Sequence, residues 1–162
     1  MVMSADDVLH VLVSLDAAGV RAWVDGGWGI DALVGEQTRE HDDLDLVIDI
    51  AQVETAIATL ATHGFSMHHD GRPTSFVVRD PTDRRVDLHP IRMDAAGGGY
   101  QAQPDGSDFY YDPEGLSGVG HIAGQPVACL SVALQLRCHE GYELDENDHH
   151  DLRILNEWLA VQ

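Results

Sequence analysis

VDGGWGIDALVGEQTREHDDLDLVIDI, residues 24–50, joins a double glycine to a run of carboxylates. Its last eight residues, DLDLVIDI, alternate acid with aliphatic, the period of a half-buried strand. Residues two apart on a strand face one side, so Asp43 and Asp45 project together, roughly 7 Å apart from the strand rise. Leu44, Leu46 and Ile48 take the other face. An apolar back and a doubly acidic front suit a divalent cation such as Mg²⁺, which takes oxygen ligands and keeps waters or phosphate oxygens of its own. The same alternation also marks any strand with one wet face. Asp42 points away, toward solvent.

Upstream, VRAWVD from Val20 reads as a strand that Gly26 and Gly27 break. Ile30, Ala32, Leu33 and Val34 then predict a short helix ending at Gly35. Glycines between a strand and a helix let backbone approach a ligand closely, and amides at a helix start can hold phosphate; a tight turn uses the same pair. Further upstream, Ser4, two acids and the spacing of Val8, Leu9, Val11, Leu12 and Leu15 predict a capped helix stopping near Gly19.

Downstream, AQVETAIATLATHG has helical spacing, FSMHHD and TSFVVRD read as neighbouring strands, and residues 80–84 supply a turn. In the next strand, RRVDLHPI, Val86 and Leu88 face the core while Asp87 and His89 share the opposite side. If that strand lies beside the first, Asp87 can share a metal or take a proton from an attacking hydroxyl. Residues 94–108 are loop-rich, followed by short strands around DFYY and GHIAGQPVACL, a helix from Val132 to His139 and a final helix through DENDHHDLRILNEWLA. The chain is thus α/β with a helical tail.

The 162 residues are the size of one domain. With 28 acids against 9 basic residues, a formal charge of −19 disfavours nucleic acid and anionic membrane as partners. There is no run of about 18 apolar residues and no basic leader before an apolar stretch, so a cytoplasmic location is expected. Cys129 and Cys138 read as reduced, buried thiols.

Gly-Gly opening a helix, an Asp-x-Asp strand and a third Asp on a later strand form the pattern of the nucleotidyltransferase superfamily. DGGWGIDALVGEQTREHDDLDL, VDLHPI and GYELDENDHHDLRIL resemble the lincosamide nucleotidyltransferases, and more distantly the aminoglycoside enzymes that modify the 2″ hydroxyl. The resemblance covers nearly the whole chain. It implies an α+β nucleotidyltransferase fold, a mixed β-sheet flanked by helices with a short helical C-terminal part. Residues 1–162 form one domain, with 1–93 as catalytic core and 109–162 as acceptor-side strands and helices. The implied reaction is Mg²⁺-dependent transfer of AMP or another nucleoside monophosphate from ATP or another triphosphate to an antibiotic hydroxyl.

By the same resemblance Asp43, Asp45 and Asp87 hold metal, and Asp87 is metal ligand or general base. Gly26, Gly27, Arg39 and His41 serve the triphosphate, and Trp28 packs beneath the loop or faces the nucleotide. His89 either shapes the acceptor site or orients Asp87. Tyr110, Tyr111, Glu114, Tyr142, Glu143 and Asp145 are looser candidates for an acceptor pocket. Alternatives are the same chemistry on an aminoglycoside or other hydroxyl, and a nucleotide-binding domain without catalysis. His150 and Asp151 in DHHDL mimic a metal-phosphohydrolase pair, but on a helix His149, His150 and Asp151 fan around the axis, so their replacement is expected to spare nucleotidyl transfer. Exposed edge strands are compatible with a homodimer.

Overall fold

The computed structural model describes all 162 residues. Helix α1 (Ala5–Ala17) starts at Ser4, whose side chain accepts from the Asp7 amide while Asp7 reaches back to the Ser4 amide. Strand β1 (Ala22–Asp25) runs directly into α2 (Gly26–Val34), which stops at left-handed Gly35. Strand β2 (Asp43–Asp49) and a 3-10 turn lead into α3 (Val53–Thr62). Strands β3 (Ser66–Gly71), β4 (Ser75–Arg79) and β5 (Arg85–Met93) follow. Then come β6 (Gly99–Ala102), β7 (Asp108–Tyr111), β8 (Gly118–Ile122), β9 (Gln125–Cys129), α4 (Val132–Cys138) and α5 (Glu146–Ala160).

Eight of these nine strands fall where alternation and turn residues predict them; β6 lies inside the stretch expected to be loop. Its sequence, GYQA after two glycines, carries no aliphatic alternation. It forms because β5 is long enough to pair β4 near its start and β6 at its end, where Arg92 faces Tyr100 and Met93 faces Gly99. Gly99 suits that close pairing, since a Cβ would come 2.8 Å from Ile91 Cδ1, which would have to move aside. Cys129 is buried as expected, whereas Cys138 is only half-buried because α4 ends at it.

The sheet is mixed and ordered β3-β4-β5-β2-β1-β9-β8, with β6 and β7 extending from the end of β5. β2 is antiparallel to β1 and parallel to β5. Val24, Leu44, Leu46, Ile48, Val86 and Leu88 pack against Val8, Val11 and Leu15 of α1 and Ala56 and Leu60 of α3. The opposite face carries a smaller core in which Trp23, Val47 and Ile91 meet Tyr111, Leu116 and Leu134. The front face of β2 is therefore acidic at one end and apolar further along, because α4 and the 115–117 turn cover Val47. No helix is long and apolar enough to cross a membrane.

All nine basic residues are arginine. Eight of them pair with acids, and Arg21 instead lies over the Trp23 ring. Arg84 ties the β4–β5 turn to the start of α1 by bridging Asp80, at 2.7 Å from Nε, and Asp7. Burial opposes the charge on both carboxylates, but hydrogen bonds from Ser4 to Asp7 and from Arg84 and Thr82 to Asp80 hold both below their ordinary pKa. This contribution is fully present above the unfolded value of about 3.9 and is lost as pH falls through the native values. Replacing Arg84 with Met should lower stability at pH 7 by about 1–3 kcal/mol in urea unfolding, the cost of stranding a charged partner. The variant should also lose stability less steeply below pH 4 than the parent; an identical acid limb would show that Arg84 does not carry this linkage.

Candidate active site

Strand register builds the site. Asp25 of β1 lies opposite Asp45 of β2, and Asp45 lies opposite Asp87 of β5, so three carboxylates occupy one row across adjacent strands. His89 sits two residues along β5 from Asp87, with Nε2 3.5 Å from Asp45 Oδ1 and 3.7 Å from Asp87 Oδ1. Ligand atoms of Asp45, Asp87 and His89 all lie within 4.8 Å of one another, a separation one metal ion can span. Asp87 Oδ1 is buried without a hydrogen-bond partner. Burying such an oxygen unpaired is costly, and a hard cation or a transferable proton would satisfy it.

The electrostatics follow from that crowding. Removal from water pushes Asp45 up to about 6, offset in part by its hydrogen bond with His89 and reinforced by Asp43. Burial also raises Asp87, with Asp43 and Asp25 adding to the shift and His89 opposing it. Asp43 is raised by burial against the attraction of His41 and Arg39. Burial disfavours charge on His89, yet Asp45, Asp87 and Asp25 together draw its pKa upward.

Gln101 of β6 orients the ring from behind: its Nε2 donates to the Thr74 carbonyl at 2.8 Å and lies 3.3 Å from His89 Nδ1, while its Oε1 accepts from Tyr111 Oη at 2.7 Å. With Gln101 against Nδ1, the ring presents Nε2 to the carboxylates.

Of the expected metal residues, Asp45 and Asp87 meet in the compact cluster, and Asp43 stands outside it on the same face of β2. Gly26 and Gly27 open α2. Gly26 has φ +60°, and a Cβ there would collide with the Asp45 carboxylate. A Cβ on Gly27 would lie 2.5 Å from both Arg39 Nη2 and the His41 ring, so Arg39 and His41 crowd the helix start. Both already have protein partners: Arg39 is held bidentately by Asp151, and His41 Nε2 lies 2.5 Å from Asp31 Oδ2. Trp28 is buried and packs on His41 with ring centroids 4.8 Å apart.

Sequence reasoning did not single out Asp25. It caps α2, accepting from the Gly26 amide at 2.6 Å, and an acid immediately before a helix-opening glycine was the available signal. Among the looser acceptor candidates, Tyr111 is buried on Gln101, Tyr110 donates to Asp94 at 2.9 Å, and Asp145 caps α5. His150 and Asp151 engage different partners, Thr38 and Arg39, which removes the phosphohydrolase pairing.

The chain matches the aminoglycoside-2″-adenylyltransferase family over residues 7–155. It is 30% identical over 149 residues to a lincosamide resistance protein of Staphylococcus haemolyticus, covering 92% of each chain. It is 30% identical over 129 residues to a 2″-aminoglycoside nucleotidyltransferase of Klebsiella pneumoniae, covering 75% of this chain and 64% of that protein. The lincomycin-bound crystal structure of the lincosamide antibiotic adenylyltransferase LnuA superposes with a TM-score of 0.88 at 28% identity, covering 98% of this chain and 99% of that one. The structure of ANT(2″)-Ia with adenylyl-2″-tobramycin shares the fold, with a TM-score of 0.72 at 22% identity, covering 96% of this chain and 88% of that one. With the carboxylate row, the glycine-opened helix and these relatives in agreement, the chain belongs to the aminoglycoside-2″-adenylyltransferase family of nucleotidyltransferases.

Proposed function

We propose that the protein transfers AMP, or another nucleoside monophosphate, from a nucleoside triphosphate to a hydroxyl of a lincosamide, releasing pyrophosphate. The observation that carries this reading is the row of Asp25, Asp45 and Asp87 across three strands, beside the glycine-opened end of α2. Similarity along the full chain to a lincosamide resistance protein and to LnuA supports the acceptor class.

Asp45 and Asp87, with Asp43 beside them, are the residues that would hold Mg²⁺; the carboxylate donors and the unpartnered Asp87 Oδ1 suit a hard cation. Bound there, Mg²⁺ supplies charge neutralisation on phosphate oxygens and polarises the α-phosphorus. His89 steadies Asp45 through Nε2. The first-turn amides of α2 lack intrahelical acceptors, and with Gly26 and Gly27 free of side chains the backbone can meet phosphate oxygens directly. Arg39 flanks that turn as a further donor, with the His41 ring packed beside it.

Asp87 is assigned as the base. A carboxylate oxygen of Asp87 not engaged by Mg²⁺ would take the acceptor hydroxyl proton as the new O–P bond forms and the bond to pyrophosphate breaks. Residues 109–162 are assigned to the acceptor side.

Incubating lincomycin, clindamycin and a set of aminoglycosides with the protein, ATP and Mg²⁺ should give a mass increase of one AMP on a lincosamide. An adduct confined to aminoglycosides would move the acceptor assignment, and no adduct on any drug would refute transfer to these antibiotics. Asp45→Asn should fold and lose at least ~100-fold in turnover, because an amide cannot offset cationic charge. Asp87→Asn should lower kcat by roughly 10²–10⁴-fold with nucleotide binding kept, the range for loss of a general base. Unchanged turnover in Asp87→Asn would reduce Asp87 to a structural role.

A further inference from the structure

We propose that Asp151 is a positioning residue of the nucleotide site: from α5 it holds the Arg39 guanidinium against Gly27, so that the donors left over face the triphosphate. The inference rests on the nucleotidyl-transfer reading above. Asp151 is 2% exposed and commits both carboxylate oxygens to Arg39, Oδ1 accepting from Nε at 2.8 Å and Oδ2 from Nη2 at 2.7 Å.

A guanidinium carries five N–H donors. Asp151 takes two, and the Glu40 carbonyl takes a third from Nη1 at 3.1 Å. One hydrogen on Nη1 and one on Nη2 remain, and Nη2 is the atom 2.5 Å from where a Gly27 Cβ would be. Nη2, which keeps one uncommitted hydrogen, therefore stands at the first turn of α2.

A second contact from α5 grips the same loop. His150 Nε2 lies 3.1 Å from Thr38 Oγ1, Thr38 donates to Asp31 Oδ1 at 2.6 Å, and the other Asp31 oxygen meets His41. Arg39 is thus held at Gly27 by α5 directly, and His41 by Asp31 of α2, whose other oxygen α5 reaches through Thr38. A carboxylate beside an anion-binding arginine cancels its net charge, so what Asp151 adds is orientation. Bidentate pairing restricts a side chain with many rotamers to one plane, and oriented donors bind phosphate more tightly than mobile ones. This reverses the expectation that replacing Asp151 leaves transfer intact.

The test separates phosphate recognition from folding. Calorimetry with inorganic tripolyphosphate, and separately with adenosine, is run in Mg²⁺ on the full chain and on Asp151→Asn. Tripolyphosphate affinity should fall about ten-fold while adenosine affinity holds, and the KM for ATP should rise with the acceptor KM unchanged. Should Asp151→Asn not fold, the swap Arg39→Asp with Asp151→Arg rebuilds the ion pair with the cation moved to α5, and should fold yet lose tripolyphosphate affinity. Unchanged tripolyphosphate affinity in a folded variant, or equal weakening of both ligands, overturns the proposal. A parent protein that binds tripolyphosphate through Asp151 but modifies no drug refutes the transfer reading and leaves the clamp standing. A parent that modifies a lincosamide while Asp151→Asn binds tripolyphosphate normally refutes the clamp alone.

Discussion

Everything at the site depends on a repulsion that strand pairing enforces. Main-chain hydrogen bonds between β1, β2 and β5 place Asp25, Asp45 and Asp87 opposite one another, and no rotation of a single side chain removes all three from the row. Like charges so placed destabilise a sheet. The compensation lies on the other face, where Val24, Leu44, Leu46, Val86 and Leu88 are all fully buried. A one-residue slip of β2 would bring those leucines to the acidic front and bury Asp43 and Asp45 in the core, so burial fixes the register that holds the carboxylates together.

Two devices ease the crowding without abolishing it. Asp25 is turned onto the Gly26 amide at the positive end of α2. His89, oriented through Gln101 and Tyr111, presents Nε2 to Asp45 and Asp87. The Asp87 oxygen left without a partner is what remains. A site that neutralised itself completely would have little need of a cation, and this one stops short.

The parts legible in the sequence were those with local causes. Period-two alternation marked β2, the turn at residues 80–84 marked the start of β5, and Gly35 marked the end of α2. Arg39 and His41 were tied to the site by motif, but their partners were not readable, since the Arg39 contact joins residues 112 apart in the chain and nothing local distinguishes Asp151 from the acids around it. β6 was missed for a related reason. It owes its existence to the overhanging end of β5, and with it went the reading of Gln101, a glutamine whose importance comes only from facing His89. Asp25 was hidden because a single acid before two glycines makes no periodic pattern.

The arginine-only set of cations has a chemical consequence of its own. Guanidinium groups hold their charge above pH 12, well past the point at which ammonium groups are discharged, so the ion pairs that knit α1 to the β4–β5 turn and α5 to the loop before β2 persist through alkaline conditions that would dissolve lysine pairs. It also leaves no side-chain amine anywhere on the molecule. Amine-directed reagents and amine-coupled supports therefore find no lysine to react with, and the acidic surface passes through such chemistry without losing side-chain cations.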